Sequence, residues 1–256
     1  MVGVAAGRPA RATLPIMMVA AAVCPCPPLL VPEVATGAAP ELDAARAACA
    51  DAVGVLAAAR PDLLVVVGPA PGGVDAERYP EGSTGSFRGF GAGSDVRLGA
   101  DRDTATGREL PAALAVGAWL LERAGWADAP VEGLGVGESL AAGRCLEEGR
   151  DIATRAERVA LLVMGDGSAC RTLKAPGYLD ERAAPFDAEA ARALGAADTA
   201  ALGALDGGLA HVLKASGRAP WQVLAGAAEA GGPALRGTLL YEDAPYGVGY
   251  IVATWS

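Results

Sequence analysis

The sequence predicts an α/β fold: one domain with a central mixed, mostly parallel sheet and helices on both of its faces. Three observations carry this expectation. Residues 63–67 and 159–164 are short, wholly apolar runs, the pattern of strands buried on both sides. Each run stops at a turn rich in Gly, Pro or small polar residues. Between such runs lie segments with apolar residues at helical spacing, and strands alternating with helices argue a sheet covered on both faces.

Taken in order, residues 1–16 have no periodicity and read as a disordered extension, with the domain at 17–256 and Met17 or Met18 as a candidate start. Residues 18–24 form the first strand. Pro25, Pro27 and Pro28 then impose an extended loop as far as Glu33, because proline lacks the N–H that helices and sheets need. Residues 41–59 form a helix with Leu42, Ala45, Cys49, Val53 and Leu56 along one face. The second strand, 63–67, ends at Gly68 and Pro69. Residues 73–108 read as loop, and the Gly-rich stretch 82–94 lacks the lysine and the following helix of a phosphate cradle. Helices are expected at 109–124 and 140–152, the latter entered through a G-x-G-x-G segment that departs from the dinucleotide fingerprint. The central strand 159–164 leads into Gly165-Asp-Gly-Ser168. Four short helices follow at 186–194, 199–205, 209–215 and 219–230, and strands at 239–242 and 249–254 close the chain.

Composition excludes several classes. With 21 basic and 30 acidic residues and no basic cluster, the chain repels phosphate backbones, so nucleic acid is not an expected partner. No run reaches the roughly 18–20 apolar residues that span a bilayer. The segment after Arg8 and Arg11 imitates a signal peptide but is short and runs straight into prolines. Five scattered cysteines do not make a disulfide scaffold, and their odd number fits a reducing compartment. A cytoplasmic protein without membrane association is the expectation.

The carboxyl end of a buried strand is where open α/β sheets place their ligands, so Asp166, Ser168 and Cys170 are expected to line a cleft. His211 is the only histidine and lies in a helical segment without a G-x-S-x-G elbow near Ser168, which leaves a catalytic triad without support. Cys24 and Cys26 are spaced C-x-C, and no second pair completes a zinc site. Their plain reading is small buried hydrophobes. The other reading is a thiolate or metal site at Cys26 or Cys170 with an acid, for which Glu242 is a candidate.

Four blocks of the sequence resemble the catalytic B subunit of class III extradiol ring-cleavage dioxygenases, a superfamily that also contains the Memo proteins. Cys26-Pro-Pro-Leu-Leu-Val-Pro-Glu33 resembles a His-Pro-Pro-Leu block followed by Pro-Glu. Val65-Val-Val-Gly-Pro-Ala70 is similar to a strand ending in Ser-Pro-His, and Met164-Gly-Asp-Gly-Ser-Ala169 to Ser-Gly-Asp-Leu-Ser-His. Tyr241-Glu-Asp-Ala-Pro-Tyr-Gly-Val-Gly-Tyr250 is similar to a closing Tyr-Glu-Gly-Pro-Phe-Gly-Val-Gly-Tyr. The resemblance implies the α/β fold and loops that meet at one cleft. It also implies that Glu242 is a retained iron ligand, that Cys26 and Ala70 occupy the positions of the two iron histidines, and that Ala169 occupies that of the acid/base histidine. A facial triad of two histidines and a carboxylate holds Fe(II) in such sites. With both histidines replaced, no cofactor is expected, a Cys-bound zinc being the minor alternative. The implied protein is a catalytically degenerate member that keeps its cleft for a small molecule or a protein partner, self-association being open. The alternatives are altered chemistry at Cys26, Cys170 and Glu242, or residual ring cleavage.

Overall fold

The computed structural model describes residues 17–37, 39–70, 72, 75–100, 109–232 and 234–256; the extension expected at 1–16 lies outside them. The chain begins with β1 (Met17–Cys24), α1 (Asp43–Ala58), β2 (Leu63–Ala70) and β3 (Ala76–Tyr79). It continues through a small hairpin, β4 (Thr84–Ser86) and β5 (Asp95–Arg97), then α2 (Ala112–Ala124), β6 (Val131–Gly137), α3 (Ala142–Ala153) and β7 (Arg158–Met164). Four helices follow, α4 (Ala183–Ala196), α5 (Thr199–Gly203), α6 (Gly207–Val212) and α7 (Arg218–Glu229), and β8 (Gly237–Asp243) and β9 (Tyr250–Trp255) close the chain.

Seven strands form one sheet in the order β3-β6-β2-β7-β1-β9-β8. Its four central strands are parallel, whereas β3, β9 and β8 join by antiparallel pairing. The fold class therefore stands as expected. β2 and β7 lie at the centre because their residues are apolar on both sides; all eight residues of β2 are buried. Alternate residues then serve two cores. On one face Leu64, Val66, Leu162 and Met164 pack under α1 and α2. On the other, Val65, Val67, Leu161 and Val163 pack under α3 to α7.

The alanine and glycine content has a physical use here, because small residues let helices approach closely. A Cβ at Gly117 of α2 would come within 2.7 Å of Val66 on β2. On the other face Gly149 of α3 presses on the Val223 carbonyl of α7, and Gly226 of α7 presses on the Leu146 carbonyl of α3. Dispersion grows steeply as the gap between packed surfaces closes, so this contact compensates for the few large side chains.

Four strands were not expected from the sequence. β6 contains the G-x-G-x-G segment, which read as a lead into a helix. Its glycines face Tyr79 of the neighbouring antiparallel strand β3: a Cβ at Gly133 would lie 3.1 Å from Tyr79 Cβ, and one at Gly135 would lie 3.2 Å from Tyr79 Cε2. The apolar half of the alternation, Leu134 and Val136, is buried on the opposite face. β3 and the β4–β5 hairpin lie in the segment that read as loop.

Two glycine substitutions should therefore act in opposite directions. Gly226→Ala forces α3 and α7 apart and should lower stability by about 1–3 kcal/mol. Gly54→Ala, in α1 with open space beside it, should raise stability by about 0.5–1 kcal/mol. Thermal and urea denaturation of both variants check this; equal shifts of the same sign would contradict the packing described.

Candidate functional site

Chain direction decides where a crevice forms. β1 and β7 are parallel neighbours, yet the chain leaves β1 towards α1 on one face and leaves β7 towards α4 on the other. Two adjacent strands whose exits diverge leave a gap at their carboxyl ends. Two hydrogen bonds cross this gap. Gly165 N–H donates to the Cys24 carbonyl at 3.0 Å, and Cys26 N–H donates to Asp166 Oδ1 at 2.8 Å. The start of α7 supplies the third side of the crevice. Asp166 N–H donates to Ser216 Oγ at 3.2 Å, and Gly217 N–H donates to the Asp166 carbonyl at 2.8 Å. Arg218 anchors that helix start by donating to the carbonyls of Leu140 and Glu138 beyond β6.

Asp166 is the electrostatic centre of the crevice. Burial pushes its carboxyl up to about 7, against the opposing pull of its hydrogen bonds with Cys26. The Cys26 thiol is pushed well up, first by burial and then by the Asp166 charge, with a Ser216 hydrogen bond working the other way. Tyr250, only 1 % exposed, has its phenol pushed up by burial and then by the charges of Asp166 and Cys26. None of the charges felt by these three groups is a cation. The arrangement can hold and pass a proton near neutral pH. It does not activate the thiol, since the thiolate is the nucleophilic form.

A second cluster fixes the shape of the 165–170 loop. Asp187 of α4 is 1 % exposed; it accepts from Ser168 N–H at 2.7 Å and pairs with Arg171 at 2.8 Å. Burial raises its carboxyl despite those bonds, and the charge of Glu242 adds to the rise. Gly167 N–H donates to the Gly249 carbonyl at 2.7 Å, and a Cβ at either glycine would strike the Asp187 carboxylate. Ser168 Oγ donates to the Leu213 carbonyl at 3.0 Å and accepts from Cys170 N–H at 3.0 Å. The Cys170 thiol donates to the same carbonyl at 3.5 Å. Ser168 and Cys170 are thus committed to holding the loop. Asp187 was missed in the sequence, although one carboxylate among Ala183, Ala190, Ala191 and Leu194 on the buried face of α4 is a legible signal.

The structure brings together only part of the expected site. Ala70 is buried at the carboxyl end of β2, where alternation puts it on the α2 face with Val66. Cys26 packs in the same core. Ala169 donates its N–H to the Leu213 carbonyl and accepts from Gly177, on the side of α6. Glu242 requires a correction to the expectation that the loops bring it to Cys26. It pairs with Ile251, whose side chain lies in the core under α4, and it is exposed. Its strand neighbours Tyr241 and Asp243 pair with Val252 and Tyr250, on the face of Cys26. Cys26 and Glu242 therefore lie on opposite faces of the sheet, and it is Tyr250 that the closing block delivers to the crevice. Among the described residues, no group of three or more His, Cys, Asp or Glu side chains is placed to hold a metal ion. His211 lies apart on α6, exposed, beside a cavity of about 320 Å³ with Glu138 and Lys214. A larger cavity of about 590 Å³ is lined by Phe186, Leu205 and Leu209 and by none of Cys26, Asp166, Ser216 or Tyr250. No helix among the described residues is long and apolar enough to cross a membrane.

No family model matches the chain, and no curated protein matches its sequence. A solved structure does share the fold: the crystal structure of uncharacterized protein JW3007 from Escherichia coli K12. The two superpose with a TM-score of 0.55 at 15% sequence identity, over 93% of this chain and 99% of that one. At such identity the likeness shows the fold alone.

The raised Asp166 carboxyl has a pH signature. Between pH 4 and 7 the unfolded chain has released this proton while the folded chain keeps it, so the folded state loses stability as pH rises. The slope from this one group is at most about 1.4 kcal/mol per pH unit. Asp166→Asn, which keeps the acceptor for Cys26 N–H, should flatten the profile across that window. Urea midpoints measured through it for both proteins provide the check; parallel profiles would place the Asp166 carboxyl at its ordinary value.

Proposed function

We propose that this chain is a catalytically degenerate relative of the class III extradiol dioxygenases, one that uses the β1–β7 crevice to bind a small molecule. The kinship rests on the four sequence blocks alone; the separation of Cys26 and Glu242 on opposite faces of the sheet counts against a shared ancestral site and supports only the loss of its chemistry. Of the metal-holding positions that the resemblance implies, Ala70 has no donor atom, and the two remaining donors cannot share an ion. Ala169, in the acid/base position, cannot carry a proton. The chemistry left in the crevice is hydrogen bonding by Asp166, Ser216, Tyr250 and backbone N–H groups. Among the described residues no cation acts on Asp166, Cys26 or Tyr250, so a neutral hydrogen-bonding ligand fits better than a phosphate or carboxylate.

The alternative of altered thiol chemistry at Cys26 is less well supported, because burial and the Asp166 charge both hold that thiol protonated. The same argument weakens a Cys26-bound zinc, since a thiol must deprotonate to ligate. Cys170 is spent on the Leu213 carbonyl.

Untagged protein should carry no stoichiometric iron and should leave catechols uncleaved, with or without added Fe(II). A thermal-shift screen should yield stabilising ligands among neutral hydrogen-bonding compounds, and Asp166→Asn should weaken their binding about tenfold or more, a loss of about 1.4 kcal/mol. Iodoacetamide should label Cys26 at pH 7 far more slowly than it labels glutathione. Fe(II)-dependent ring cleavage abolished by Glu242→Ala would overturn the proposal, and fast labelling of Cys26 would favour thiol chemistry instead.

A further inference from the structure

The two edges of the sheet are unlike. β3 is four residues long and carries Glu77 and Arg78, the short and charged design that discourages pairing with another chain. β8 is seven residues long, with no lysine or proline in it, and its outer side has no strand partner among the described residues. Leu239 and Leu240 in its middle are 40 % and 39 % exposed. A register shift between Leu239 and Tyr241 leaves Leu240 without a partner on β9. An open strand edge with exposed leucines is a template for strand addition.

The charges around this edge favour a particular occupant. Arg236 stands exposed just before the strand, and Glu242 and Asp243 stand exposed at its end. Neither Arg236 nor Glu242 has an ion pair among the described residues. Antiparallel pairing of two such strands sets the basic start of each against the acidic end of the other, whereas parallel pairing sets like charge on like. Antiparallel pairing is also what a two-fold axis produces, and it closes at two copies.

We infer that β8 pairs antiparallel with β8 of a second copy of this chain, joining the two sheets into one. The edge is about 23 Å long, and a single strand covers less than the roughly 800 Å² per partner of a standard interface. The dimer is therefore a weak, concentration-dependent one.

Sedimentation equilibrium of the full chain over a dilution series tests this. The expected result is a reversible monomer–dimer equilibrium. Leu240→Lys should weaken it about tenfold or more, and so should Arg236→Glu, with unchanged far-UV circular dichroism in both. Adding Glu242→Arg and Asp243→Arg to Arg236→Glu should restore association, which a merely destabilised fold would not do. A monomer at every concentration would overturn the inference, as would a dimer indifferent to these substitutions. A dimer seen only after removal of residues 1–16 would also overturn it, by assigning the edge to the chain's own start.

Discussion

The parallel pairing of β1 with β7 is the constraint on which the rest of the structure depends. These strands are far apart in sequence, yet they bond along their full lengths from Met17–Arg158 to Cys24–Met164. The consequence is topological. One strand hands the chain to α1 and the other hands it to the helices of the opposite face, so the two cores meet at a common edge. The Cys26–Asp166 hydrogen bond spans the place where the two chains part. A carboxylate there is costly to charge, because burial outweighs the hydrogen bonds it makes with Cys26. A proton held near neutrality follows from the route of the chain as much as from the residue itself.

The second constraint is size. With aromatics at 5%, the cores cannot be filled by bulk, and they are filled by approach. Gly117 against Val66, and Gly149 and Gly226 across α3 and α7, bring backbones together where other proteins interpose leucines. The same economy operates at the site, where Gly167 and Gly249 leave room for the Asp187 carboxylate between two loops. Glycine at these positions is a packing requirement, not a mark of flexibility.

Much of this was legible in the sequence. The apolar runs of β1, β2 and β7 and the helical spacing of α1 to α7 announce themselves, since burial on both faces or on one stripe leaves a period. β6 was hidden because half of its alternation is glycine, which makes room for the Tyr79 side chain of its edge neighbour and is invisible until that pairing is known. Asp166 was legible as a polar residue ending a buried strand. Tyr250 was not, because its role depends on β9 lying beside β1, a long-range pairing with no local signature. Glu242 illustrates the limit most clearly. Side-chain direction alternates along a strand, and the irregularity at Leu240 resets that alternation just before Glu242. A single extra residue decides which face a carboxylate serves, and no local pattern records it.

The position of β9 carries a consequence for how the molecule is made. It is the last element of the chain, yet it sits inside the sheet between β1 and β8. A nascent chain emerging from the ribosome carries β1 from the beginning, and nothing can occupy β1's outer side until residues 250–255 appear. Tyr250, Gly249 and the Gly167–Gly249 bond reach the crevice only with that final strand. The crevice is thus complete only once β9 has paired with β1. Closure across so much intervening sequence is slow compared with helix formation, so the edge of β1 that β9 covers is paired late in folding.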